Sequence, residues 1–70
     1  MSDKTTSLAD AFPGEQARVR ELIGIYRSLG PVGSFGAVML EQVLRRADAA
    51  AASGDVVEML RSYEELKGCQ

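Results

Sequence analysis

The seventy-residue chain contains no histidine and no tryptophan, one cysteine, two prolines and only four aromatic residues. Without histidine there is neither an imidazole general base nor the commonest neutral metal ligand. The single thiol, Cys69, cannot close an internal disulfide, and alone it cannot build a zinc site. Its plainest reading is an incidental reduced thiol near a frayed end. No metal and no cofactor are therefore expected. Long hydrophobic runs are lacking too: stretches such as Phe35–Leu40 fall far short of the ~20 residues that cross a bilayer. Met1–Ser7 is polar, without the apolar centre of a secretory leader. The expectation is a cytoplasmic protein with no membrane role.

An excess of basic charge is also missing. Eight Lys and Arg stand against ten Asp and Glu, for a net charge of -2 and a pI near 4.9. A nucleic-acid binder of this size carries a basic face that releases counterions, so no nucleic-acid partner is expected. By segment, residues 1–14 carry -1, 15–29 carry +1, the middle stretch is neutral and 55–67 carry -2. That polarity suits solubility, or the steering of a partner.

What is present is 46% hydrophobic residues arranged at helical period. Residues 1–14 hold only Leu8 and Phe12 as large apolar groups; Ser7–Asp10 can cap one helical turn, which Pro13–Gly14 then stops. We read 1–14 as a flexible N-terminal arm. From Glu15, Val19, Leu22, Ile23, Tyr26 and Leu29 recur at three- and four-residue steps, until Gly30–Pro31 ends the helix. A second helix starts between Pro31, suited to a first turn, and Ser34, a possible N-cap. Its apolar residues Phe35, Val38, Met39, Leu40, Val43, Leu44 and Ala47 cover more than half the circumference, and Glu41 can pair with Arg45. Ser53–Gly54 stops it. Asp55 with Glu58 three residues on has the form of a capping box, and opens a third helix whose stripe is Val56, Leu60, Tyr63 and Leu66, joined by Val57 and Met59. No strand alternation longer than three residues occurs. With connections of about 2 to 4 residues, neighbouring helices run antiparallel. The pattern predicts an all-α three-helix bundle over 15–68, with helices near 15–29, 32–53 and 55–67. The expected core is Leu22, Ile23, Tyr26, Phe35, Met39, Val43, Leu60 and Tyr63.

Two features point beyond the fold. Gly30, Gly33 and Gly36 sit where a helix begins, so Gly33, Ser34 and Gly36 are candidate anion-binding residues at an N-terminus rich in N–H donors. The competing reading is that small residues let the second helix start close against the first. The chain has no P-loop lysine after these glycines and no preceding strand. Ser34 has no histidine or nearby lysine to take its proton, so it is not a nucleophile. Asp55, Glu58, Glu64 and Glu65 read as solvated surface with Arg61 as a partner, and no catalytic residue is expected. The second feature is an apolar surplus. Ile25, Val38, Leu40 and Leu44 cannot all face one small core, so they are candidate interface residues. A core in so short a chain is also marginal alone, which favours a homo-oligomer, such as a homodimer, or a protein partner.

The stretch Ala51–Leu60, followed by Tyr63–Glu64, resembles the inter-helix turn of a tetratricopeptide repeat over one hairpin, without the repeat of about 34 residues. From Glu21 to Cys69 the chain is similar to short proteins of no assigned activity in proteobacterial phages and prophages. There, Leu29–Gly36 leads into an Ala-rich helix and then Ser53–Tyr63. The resemblance implies a phage accessory protein made in a bacterial cytoplasm, where small acidic helical products often bind host proteins. The expected function is a non-enzymatic interaction module that self-associates or binds a host protein; the alternative is a small-anion or nucleotide binder using the Gly30–Gly36 helix start.

Overall fold

In the computed structural model, which describes residues 8–70, Gly30 and Gly54 both take positive φ, 84° and 74°, and each separates two helices. Side chains with a Cβ resist that conformation. The helices are α1 (Leu8–Ser28), α2 (Pro31–Ser53) and α3 (Val56–Gly68), and the protein is an all-α three-helix bundle, as its periodicity predicts. Pro31 occupies the first turn of α2 behind the Gly30 cap, where its missing N–H costs nothing. Ser34, the other candidate cap, lies inside the helix. At the far end the Gly54 N–H bonds the Ala50 carbonyl at 3.1 Å. Asp55 caps α3 as expected: one carboxylate oxygen accepts from the N–H groups of Val57 (3.0 Å) and Glu58 (3.2 Å). The reciprocal half of the box comes from elsewhere, since the Asp55 N–H donates to Ser53 Oγ at 3.2 Å. Asp55→Ala is expected to lower stability by about 0.5–2 kcal/mol, measured by urea unfolding.

The boundary at residue 14 does not hold. α1 begins at Leu8 and passes through Pro13 and Gly14 without a break; of the proposed arm, only residues 1–7 lie outside the described residues. Phe12 is the reason. It is 1% exposed and the largest fully buried side chain, stacked on Tyr63 with ring centroids 6.5 Å apart. Phe12, Val19 and Ile23 fall on one helical line, so the core-facing stripe runs straight across the proline. Burial of an aromatic ring offsets the hydrogen bond that Pro13 cannot donate.

α2 is turned relative to expectation. Its buried line is Gly33, Ala37, Leu40, Leu44, Ala47 and Ala50, at steps of three and four. Phe35, expected in the core, lies on the opposite side and is 76% exposed, and Met39 is also mostly exposed. Val43, Leu22, Tyr26 and Tyr63 are partly buried against the core, and Ile23 is in it. On α3 the inward line is Met59, Ser62, Tyr63 and Leu66, continued by Cys69 just past its end, which leaves Leu60, Val56 and Val57 outside. Small residues decide the matter on α2: a face of Gly and Ala admits neighbouring helices closely enough for two leucines to fill the gap, which a face with Phe35 would hold apart.

Two sets of polar contacts lock the arrangement. Arg18 on α1 donates to the Leu66 and Cys69 carbonyls at 2.6 and 3.0 Å, joining the Cys69 N–H on the Leu66 carbonyl and placing a cation at the C-terminal end of α3. The Tyr26 hydroxyl donates to the Gln70 carbonyl. Between helices, Arg27 pairs with Glu41, Arg46 with Glu65 at 3.2 Å and Arg20 with Asp48 at 3.7 Å. Glu41 therefore reaches across to α1, where its sequence spacing suggested Arg45. α3 has 13 residues against 23 in α2, about 15 Å less at 1.5 Å per residue. Because α3 starts beside the C-terminal end of α2, it flanks only that half. The last turn of α1 and the first turns of α2 project past it as a two-helix tip in a molecule 46 × 24 × 15 Å.

Candidate interaction surface

The four residues proposed as an interface divide evenly. Leu40 and Leu44 are each 8% exposed and belong to the core, so neither contributes to a surface. Ile25 and Val38 are about half exposed. Phe35 and Met39 have exchanged places with the two leucines, and the surplus of apolar groups is therefore real but differently composed.

The glycines of the α2 start are accounted for by packing. A Cβ on Gly33 would drive into the Tyr26 carbonyl oxygen and stand 2.8 Å from Leu29 Cβ; one on Gly36 would stand 2.6 Å from the Tyr26 ring. Both positions are thus the seat on which Tyr26 and the end of α1 rest. Ser34 is exposed, and its hydroxyl donates to the Gly30 carbonyl at 3.1 Å, the back-bonding habit of a helical serine. Gly33→Ala is expected to cost about 1–3 kcal/mol, because a backbone carbonyl cannot swing aside. Gly24→Ala, where a Cβ meets nothing within 4 Å, should instead stabilise by about 0.5–1 kcal/mol. Paired denaturant titrations read both.

The tip carries the exposed apolar groups. Ile25 on α1 and Leu29 in the turn after it, with Val32, Phe35, Val38 and Met39 on α2, are each at least half exposed, Val32 reaching 88%. Val32, Phe35 and Met39 follow the three- and four-residue steps that place side chains on one face, and Val38 flanks Phe35. The same region is nearly devoid of charge: between Leu22 and Leu40 the only charged residue is Arg27, and it is paired with Glu41. A second, smaller exposed set, Val56, Val57 and Leu60, lies at the opposite end, on the first turns of α3.

Elsewhere the surface is polar. A groove of about 550 Å³ between α2 and α3 has a floor of Ala49, Ala50, Ser53 and Ser62 and a rim of Arg46, Glu65, Arg61 and Glu58. Its rim charges pair as Arg46–Glu65 at 3.2 Å and Arg61–Glu58 at 3.7 Å, the latter as the i,i+3 spacing predicts. No group of three or more Cys, Asp or Glu suited to a metal ion occurs among the described residues. Cys69 is not at a frayed end: it is buried, and its thiol donates to the Glu65 carbonyl at 3.4 Å. Burial pushes that thiol above its usual pKa, the Glu65 carboxylate adds to the shift and the Arg18 guanidinium opposes it, which keeps the group protonated and unreactive at neutral pH. Among the described residues no helix is long and apolar enough to cross a membrane. No protein family, curated protein or solved structure matches the chain.

Proposed function

We propose that this chain is a non-enzymatic protein–protein interaction module that docks through the apolar tip of the α1–α2 hairpin. The carrying observation is the cluster of six large apolar side chains, each at least half exposed, in a segment with one charged residue already neutralised within the chain. Exposed apolar surface of this extent in one segment of a small domain marks a contact with another protein. The projection of the tip past α3 makes both helices accessible to a partner at once. An accessory role in a bacterial host cytoplasm is part of this proposal, and rests on the resemblance to short phage and prophage proteins read from the sequence of Glu21–Cys69 alone.

The test compares immobilised wild type with a Phe35→Asp/Met39→Asp double variant, each challenged with bacterial lysate and separately with the purified chain. The expected result is a protein retained by the wild type and released by the double variant, with equal helical circular dichroism in both. Equal retention by the two, or retention by neither, overturns the reading.

A further inference from the structure

We infer that the occupant of the tip is a second copy of this chain, docked about a two-fold axis with Phe35 at its centre. This rests on the reading of the tip as a docking surface and names its partner. Charge is the first argument. A two-fold contact sets each group beside the same patch of its mate, so any net charge there meets its like. The tip meets that condition, since from Leu22 to Leu40 it holds one charged residue, Arg27, and Glu41 of the same chain neutralises it. Nothing on this face asks for a partner of opposite charge.

Area is the second argument. At on the order of 100 Å² of exposed surface per side chain, Ile25, Leu29, Val32, Phe35, Val38 and Met39 offer roughly 600 Å² per chain, close to the ~800 Å² that each partner contributes to a standard stable interface. Neighbouring main chain at the Gly30–Pro31 turn supplies further surface. Two hairpins meeting at this face place four helix ends around a shared apolar centre. That contact compensates the small core that a chain of this length can build alone.

Phe35 is the anchor, because it is the largest exposed side chain of the group and stands between Val32, Val38 and Met39 on α2. A buried aromatic at the centre of an interface carries a disproportionate share of its affinity. Since a two-fold interface contains each residue twice, one substitution acts on both sides.

Sedimentation equilibrium of the purified chain, from micromolar to submillimolar concentration, tests the inference. The wild type is expected at twice its 7.5 kDa mass. Phe35→Asp and, independently, Val32→Asp should sediment at the monomer mass with unchanged helical circular dichroism, a loss of at least about 100-fold in self-affinity. Val32→Asp guards against a folding defect, because an aspartate in the first turn of α2 favours the helix. Val57→Asp, on the apolar set at the far end, should stay dimeric. A wild type that sediments as a monomer throughout overturns the second copy as occupant. The docking role of the tip then stands or falls separately, on whether a lysate protein is retained through Phe35 and Met39. A dimer that survives both tip substitutions overturns the location. A series growing beyond the dimer with concentration, as a tip-to-far-end contact would produce, overturns the two-fold geometry.

Discussion

Leu44→Asp should unfold this protein, leaving a chain with little helical circular dichroism at 25 °C. Leu44 is in the core, on the line shared with Leu40 and Ala47. An aspartate there loses the transfer energy of the leucine and buries a carboxylate among apolar groups, a penalty of several kcal/mol even if the carboxyl neutralises by taking up a proton. A domain of this size has only about 4–10 kcal/mol to lose. Leu44→Ala, which removes volume without adding charge, should cost about 2–5 kcal/mol. The contrast with Phe35→Asp is the diagnostic: two large apolar residues nine positions apart on one helix should respond to the same substitution with loss of fold in one case and loss of association in the other. A folded, monomeric Leu44→Asp chain would show that Leu44 faces outward and that α2 is rotated from the orientation described.

Phe12→Ala should lower stability by about 3–5 kcal/mol, and the melting temperature by roughly 15–30 °C for a domain of this length. The ring is fully buried against Tyr63, over which Lys67 places its ammonium 5.3 Å from the centroid. Its loss leaves a cavity at the junction of α1 and α3, two helices that a short loop does not connect and that depend on packing to stay together. Removal of residues 1–14 should be more damaging still, because it also takes away the first two turns of α1. A loss below about 1 kcal/mol for Phe12→Ala would return this segment to the status of an arm.

The tip was half legible before the fold. Ile25 and Val38 stand out as surplus, and so does the general excess of apolar groups on α2, because three- and four-residue periodicity cannot seat Val38, Leu40, Leu44 and Phe35 on one side of a helix. Which of them face inward was not legible, since apolar residues surround α2 and a stripe that wide has no direction of its own. Size runs against burial on this helix: Phe35 and Met39 are large and exposed, while Gly33 and Ala37 are small and buried. The usable signal lay in the small residues. Gly33, Ala37, Ala47 and Ala50 form a line at helical spacing, and a helix that must approach another closely turns its smallest side chains toward it.

Local chemistry determined what the sequence alone could determine. The turn at Gly30–Pro31 and the stop at Gly54 depend on a positive φ, and the start of α3 depends on a carboxylate within reach of two N–H groups. Such requirements are met within a few residues of chain, so they are readable without knowing what the helices pack against. Tertiary structure alone decided that Pro13 stays inside a helix, that Arg18 closes the end of α3 and that Leu44 is core while Phe35 is surface. Each depends on a partner at least thirty residues distant in sequence or on the fit between whole helix faces. Their energies come from burial and close contact, which exist only once the three helices have met.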